Sequence, residues 1–225
     1  RVIQMGEHPS RVFDVGSLGV ENIKAVPLMT KDELEASLDF KIDTQTILVT
    51  YHPVTLGGDP AKDIREFLDA LDQFKDLKVI FTMPNSDTGR DAIALAVENY
   101  VEKHSNSAKA YTSLGLRRYL STLQFVKAAV GNSSSGIIEV PSFGIPTLNI
   151  GDRQKGRLAS KSVVNCGTSK DEVIVGLKLC LSEEMQKAAK TYENPYAKPD
   201  TANLIYQELK NVELAGLNLK TFYDL

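Results

Sequence analysis

Residues 131–157, GNSSSGIIEVPSFGIPTLNIGDRQKGR, carry the densest chemistry in the chain. An apolar run, Ala128-Ala129-Val130, ends in Gly131, three serines follow, and a helical segment opens at Gly136. A strand that breaks into small residues and then starts a helix can hold an anion, because the first helical N–H groups have no intrahelical partner. The helix dipole would add about half a positive charge there. Ser133, Ser134 and Ser135 offer hydroxyl donors as well. Glu139 lies six residues after Ser133, nearly two helical turns on. A carboxylate beside a phosphate needs another partner, and vicinal hydroxyls such as those of a ribose would supply one. The alternative is that the serines only cap a helix and Glu139 is solvated, and the spacing does not decide between the two.

A second set of groups sits in other polar clusters. His52, in Tyr51-His52-Pro53-Val54-Thr55, has a side chain whose ordinary pKa suits proton transfer or hydrogen bonding to a diphosphate. Asn85 and Asp87, in Met83-Pro84-Asn85-Ser86-Asp87, could contact a ligand or cap the next helix. Arg153 lies in Gly151-Asp152-Arg153-Gln154 with Lys155 and Arg157 close by. Its planar guanidinium could pair with a phosphate or carboxylate, or the turn could be a solvated basic one with Asp152 holding Arg153 in place. His8 and His104 are expected in exposed turns, without a role. No set of side chains has metal-ligand spacing, and neither a nucleophile elbow, a GxGxxG nor a Walker lysine motif occurs. A nicotinamide cofactor or ATP is therefore disfavoured, and no cofactor is expected.

The elements that must position these groups alternate. Strands are expected at Thr46–Thr50, Lys78–Thr82, Ala108–Tyr111, Lys127–Val130, Thr147–Ile150 and Ser162–Cys166, with a further one at Val12–Gly16. Between them run helical stripes: Ile64, Phe67, Leu68, Leu71 and Phe74 behind an Asp59 cap with Pro60 in the first turn; Ile93, Val97, Tyr100 and Val101; and Leu116, Tyr119, Leu120 and Leu123. Capping boxes are expected at Thr30/Glu33, ahead of Leu34 and Leu38, and at Ser169/Glu172. Two more helices should cover Glu183–Tyr192 and Thr201–Asn211. This βα alternation with apolar strands predicts an α/β protein, a Rossmann-like parallel sheet with helices on both faces. In such sheets ligands bind outside the carboxyl ends of the strands, and all four polar clusters follow strands.

Bulk properties narrow the classes. The net charge of −3 gives no electrostatic reason to bind nucleic acid or an anionic membrane, and no apolar run reaches the roughly 20 residues that span a bilayer. Cys166 and Cys180 are expected as free buried thiols in a reducing cytoplasm. The opening RVIQMGEHPSRVF reads as the middle of something rather than a signal peptide. The expected division is residues 1–20 as the tail of a missing N-terminal Rossmann-like domain, 21–45 as a linker with a short helix, and 46–225 as a C-terminal domain with closing helices.

The segments RVIQMGEHPSRVFDVGSLGVENI, LVTYHPVTL, FTMPNSDTGR, YTSLGLRRYL, GNSSSGIIEVPSFGIPTLNIGDRQKGRL and the closing NPY resemble the hydrolysing UDP-N-acetylglucosamine 2-epimerases, bacterial sialic-acid-pathway enzymes among them. They span nearly the whole chain in order. The resemblance implies one half of a two-domain, glycosyltransferase-B-like fold, the UDP-binding C-terminal half. It implies that His52 lines the cleft near the diphosphate as the candidate catalytic residue, and that Asn85 lies on the nucleotide side. Ser133 and Ser134 would hold the phosphates, Glu139 the ribose hydroxyls and Arg153 the diphosphate, while the loop around Leu114 would lie against the uracil. The implied reaction is loss of the C2 proton with expulsion of UDP from C1, giving a glycal, followed by hydration to free N-acetylmannosamine. No metal would be required. The carboxylates and arginine that work on the sugar would belong largely to the missing domain, so these residues alone should bind UDP weakly and turn over little. A homo-oligomer is expected of the full-length enzyme. Two other functions stay open: a non-hydrolysing UDP-N-acetylglucosamine 2-epimerase, and a catalytically incompetent UDP-binding module.

Overall fold

The computed structural model describes residues 1–54, 58–219 and 221–224; Thr55 of the HPVT stretch lies outside them. Six parallel strands form one sheet: β1 (Thr46–Thr50), β2 (Lys78–Thr82), β3 (Ala108–Tyr111), β4 (Ala128–Gly131), β5 (Thr147–Ile150) and β6 (Val163–Cys166). Their order is β3-β2-β1-β4-β5-β6. The chain thus builds outward from β1 in one direction, returns, and builds outward from β4 in the other. The boundary between β1 and β4 is the topological switch point, where a crevice opens at the carboxyl ends.

Helices cover both faces. Ile47 and Val49 of β1 join one core cluster with Ile64 and Phe67 of α3 (Pro60–Leu71), Ile93 of α4 (Arg90–Lys103) and Val173 and Leu177 of α7 (Lys170–Leu181). Leu48 of β1 and Ile80 of β2 alternate to the other face, where they are also buried. Leu34 and Leu38 of α2 (Lys31–Leu38) and Leu120 and Leu123 of α5 (Gly115–Leu123) are fully buried outside that cluster. Leu116, expected on the α5 stripe, is 52% exposed in the first turn, while the buried residues of the helix, Leu120 to Leu123, fall at its other end.

Local signals explain most boundaries. Asp59 accepts hydrogen bonds from Ala61 and Lys62 N–H, with Pro60 next in the chain, so α3 starts where it was expected. Thr30 and Glu33 form the capping box of α2. The Ser169/Glu172 box does not form. The Ser169 hydroxyl instead donates to the Glu172 carboxylate, and the first helical N–H, that of Lys170, donates to Glu66 of α3 at 2.9 Å.

The chain divides into two compact units, residues 25–195 and residues 1–24 with 196–225. This differs from the expected division at residue 46. The segment before β1 belongs with the sheet: Met29 N–H donates to the Ser121 hydroxyl at 2.9 Å, Arg117 donates to Pro27 C=O at 2.8 Å, and Tyr111 donates to Leu38 C=O at 2.7 Å. In the other unit, the strand expected at Val12–Gly16 is irregular, and helix α1 (Leu18–Ala25) stands where a linker was expected. The Val15 and Asp14 carbonyls accept from the Thr201 hydroxyl and the Lys198 ammonium, and Ser17 N–H donates to Tyr196 C=O. Those backbone groups are occupied by the closing segment rather than by a strand neighbour. Helices α8 (Glu183–Ala189) and α9 (Thr201–Asn211) complete the chain.

Candidate functional site

The groups singled out by their types come together at the carboxyl ends of β1, β2, β4 and β5. The centre is a residue not singled out: Asn132, fully buried, one position after β4. Its side chain closes a two-point clamp on the backbone of His52. His52 N–H donates to Asn132 Oδ1 at 2.7 Å, and Asn132 Nδ2 donates to His52 C=O at 2.8 Å. Only an amide can do both at once. The Asn132 carbonyl accepts from Arg153 Nη1 at 3.1 Å and from Gln154 Nε2 at 2.9 Å, and Asn132 N–H donates to Thr50 C=O at 3.2 Å. One buried residue thus ties the exits of β1, β4 and β5. The preceding residue must be glycine: Gly131 has φ +130°, and a Cβ there would sit 2.0 Å from the Thr50 carbonyl oxygen.

The ring of His52 is fixed from a third strand. Asn85 N–H, after β2, donates to His52 Nδ1 at 3.2 Å. An Nδ1 that accepts leaves the proton of the neutral ring on Nε2. Burial, then the charge of Arg153, pull the His52 pKa below its ordinary value of 6.5, against Asp87 and Asn85. The ring is therefore held neutral, with an Nε2–H donor that has no partner among the described residues. Asn85 does not cap the next helix. Gly89 holds that position, and the Asn85 side chain donates to Asp87 at 2.7 Å. Asp152 pairs with Lys155 at 3.0 Å rather than with Arg153.

The serine turn differs from expectation in one respect. Helix α6 (Ser135–Ile138) has four residues, then the chain tightens into a 3-10 turn at Val140–Phe143. Pro141 cannot donate an N–H and its ring would clash in a continued α-helix. Glu139 is therefore the C-cap of α6 rather than a residue two turns inside a long helix, and the dipole of so short a helix adds little. The amides of Gly136, Ile137, Ile138 and Glu139 are bonded within the turn. Those of Ser133 and Ser134 have no partner among the described residues, and Ser134, at the N-cap position, makes no side-chain cap. Two free amides and adjacent hydroxyls point to anion binding through individual donors.

Glu139 is half-buried, and burial raises its pKa above the ordinary 4.5. A hydrogen bond with Ser135 opposes the rise. The Ser135 hydroxyl in turn accepts from Tyr119 at 2.7 Å. Tyr119, whose phenol is pushed up to about 12 by burial, was expected only as part of an apolar stripe. Leu114, at the N-cap of α5, is 3% exposed, so what its loop offers outward is the exposed Thr112 and Ser113 rather than the leucine side chain. Cys166 and Cys180 are free thiols, half-buried and buried, each pushed up to about 12 by burial. Among the described residues no group of three His, Cys, Asp or Glu side chains could hold a metal ion. No helix among them is long and apolar enough to cross a membrane.

The profile of the family described as UDP-N-acetylglucosamine 2-epimerase matches residues 1–210. The chain belongs to that family. It is 40% identical, over its whole length, to the "GDP/UDP-N,N'-diacetylbacillosamine 2-epimerase (hydrolyzing)" of Campylobacter jejuni, of which it covers 59%. It is 35% identical to the "Polysialic acid biosynthesis protein P7" of Escherichia coli, again over its whole length and 58% of that protein. The chain thus spans less than two thirds of the length of these curated relatives. Among solved structures, the S. aureus MnaA–UDP co-structure matches with a TM-score of 0.71 at 17% identity, covering all of this chain and 60% of that one. The Neisseria meningitidis UDP-GlcNAc 2-epimerase bound to UDP-GlcNAc matches with a TM-score of 0.60 at 16% identity over 87% of this chain and 51% of that one. At such identities the epimerase structures speak to the fold, and the fold agrees.

Proposed function

We propose that this chain is the UDP-binding half of a hydrolysing 2-epimerase that takes a UDP-linked N-acetylated amino sugar, UDP-N-acetylglucosamine in the first instance, and releases UDP and the free 2-epimer. The observation that carries this reading is the convergence of unspent donors at the switch point: His52 Nε2–H, the Ser133 and Ser134 amides, and the Arg153 guanidinium tied to the Asn132 carbonyl. The name of the Campylobacter relative supports a hydrolysing outcome and keeps a diacetylated sugar nucleotide as an alternative substrate.

In the proposed reaction the C2–H and C1–O bonds break, a C1=C2 double bond forms, and UDP departs with the electron pair of the C1–O bond. Water then adds a hydroxyl to C1 and a proton to C2 on the opposite face. The residues of this chain act on the leaving group. Donors held in place where the diphosphate gains charge lower the barrier without reorganising. A neutral His52 donates a hydrogen bond there rather than removing the C2 proton. The two ribose hydroxyls are assigned to Glu139, and the uracil to the loop at Leu114. Asn85 sets the His52 ring from the nucleotide side. The groups that act on C2 are assigned to sequence outside these 225 residues. The two thiols, neither in a disulfide, support a reducing cytoplasm as the compartment.

Calorimetry of this chain with UDP, UMP and buffer tests the binding half, and UDP should bind more tightly than UMP. Turnover of UDP-N-acetylglucosamine by these residues alone should be undetectable; clear activity would overturn the division of labour. For the full-length protein, free N-acetylmannosamine plus UDP supports the hydrolysing reading. Intact UDP-N-acetylmannosamine would select the non-hydrolysing one.

A further inference from the structure

We propose that Asn132 is a positioning residue that aims the His52 ring and the Arg153 guanidinium at the same terminal phosphate; this rests on the nucleotide reading above. The residue touches no ligand in that reading. Its side chain is spent on the His52 backbone, with 2.7 and 2.8 Å bonds to its N–H and C=O. Its carbonyl is spent on Arg153 and Gln154. A buried polar residue with every group paired specifies one geometry, because any shift leaves a donor or acceptor unsatisfied.

Two features separate this role from ordinary loop packing. First, the clamp spans the switch point. β1 and β4 are neighbours, with Thr50 opposite Gly131; the Asn132 N–H to Thr50 C=O bond closes their ladder, and beyond it no backbone bond among the described residues sets the spacing of the two segments. Asn132 supplies that spacing with a side chain, one residue beyond the strand. Second, the two residues it holds carry the donors that a second phosphate would meet. His52 keeps Nε2–H without a partner among the described residues while Asn85 N–H occupies Nδ1. Arg153 spends one guanidinium nitrogen on the Asn132 carbonyl, and its others have no hydrogen-bond partner among the described residues. Gln154 Nε2 shares that carbonyl, and its Oε1 accepts from Arg157 at 3.0 Å, which fixes the turn carrying Arg153. The Ser133 and Ser134 amides are not bonded by the Asn132 side chain, whose bonds go to His52. Asn132 is therefore expected to govern discrimination between a nucleoside diphosphate and a monophosphate more than nucleotide binding as such.

The test compares UDP and UMP by calorimetry for the wild-type chain, Asn132→Leu, and Leu123→Ala, a core substitution on α5 away from the site. In Asn132→Leu the preference for UDP over UMP should fall about tenfold or more, UMP affinity changing about twofold or less, since misplaced donors lose the interaction they were held for. Leu123→Ala should lose melting temperature and keep the preference. If Asn132→Leu loses UDP and UMP equally, or keeps the preference, the proposal is overturned. Should Asn132→Leu fail to fold, amide hydrogen exchange in the wild type decides. His52 N–H, donated to Asn132 Oδ1, should be protected well beyond an open amide, and exchange at the open rate overturns the clamp. A wild type with no preference for UDP would count against the nucleotide reading, while the His52 amide would still report on the clamp itself.

Discussion

Two histidines in one domain show how position decides chemistry. His52 stands at the end of β1 with its backbone clamped by Asn132, its Nδ1 occupied by an amide and its Nε2–H unspent. His104 stands at the C-cap of α4, with Nε2 3.1 Å from the Asp72 carboxylate and its ring stacked on Tyr100 at 4.3 Å. A carboxylate stands against the nitrogen that a ligand would use, and a stacked tyrosine covers the ring. At His52 the opposite holds: burial and then the Arg153 guanidinium favour the neutral ring, and the Asn85 N–H on Nδ1 leaves the other nitrogen as a donor with no partner among the described residues. Expected in an exposed turn, His104 is in fact half-buried between two helices. The α3–α4 groove therefore has the residue types of an active site, and uses them on one another.

The largest effect should come from removing the charge that sets the two sites apart. Arg153→Met should weaken UDP binding by about 1.5–3 kcal/mol, the range for a lost hydrogen bond to a charged group, or roughly 10- to 150-fold. His104→Gln should leave UDP affinity unchanged and lower stability by no more than about 1 kcal/mol, since a partly exposed pair contributes little. Calorimetry and thermal melts check both. Equal losses of UDP affinity in the two variants would break the comparison.

Glu139 sharpens it next. Its raised pKa means that the ionised form costs stability in the fold. Glu139→Gln keeps an acceptor for the Ser135 hydroxyl and removes the buried charge, so the melting temperature at neutral pH should rise. The same substitution should weaken UDP by about 1–3 kcal/mol by removing a charged acceptor for the ribose. A residue whose loss stabilises the fold and weakens binding is retained for binding. Lower stability with unchanged affinity would return Glu139 to a packing role.

How far these roles could be read from the sequence varies with range. The six strands of the sheet were legible because β-branched and apolar runs of four or five residues have few other uses in an α/β chain, whereas the run at Val12–Gly16 has no strand neighbour and stays irregular. The α3 start was legible because Asp59-Pro60 is a local signal. The serine turn was found for its composition, yet its helix was overestimated, since the α-helix stops at Ile138, just ahead of Pro141. Asn132 was not legible. Nothing in GNSSSG sets its asparagine apart from a turn residue, and its partners lie 80 residues away at His52 and 21 and 22 residues away at Arg153 and Gln154. Tyr119 was hidden for a similar reason, its apolar periodicity masking a hydroxyl aimed at Ser135. The Ser169 box failed because its two side chains bond to each other, hydroxyl to carboxylate, and not to the backbone amides of Glu172 and Ser169.

The smallest expected effect separates His52 from Glu139 by sign. The His52 pKa is lowered from 6.5, so below pH 6.5 the unfolded state binds the proton more readily and stability falls with acidification, until the folded value is passed. The Glu139 pKa is raised from 4.5, so the folded state takes up the proton first and stability rises as pH falls toward 4.5. In the wild type the two contributions have opposite signs, that of His52 arising below pH 6.5 and that of Glu139 above pH 4.5. Carboxylates held below their ordinary values, such as Glu33 and Glu35, lose their contribution only at lower pH. Melts between about pH 5 and 7.5 should therefore diverge when the groups are removed singly. His52→Gln should gain melting temperature relative to wild type as pH drops below 6.5. The advantage of Glu139→Gln should be greatest near neutrality and shrink on acidification. Parallel curves for both variants would mean that neither group is held away from its ordinary protonation, and the contrast between the crevice and the outer groove would then rest on geometry alone.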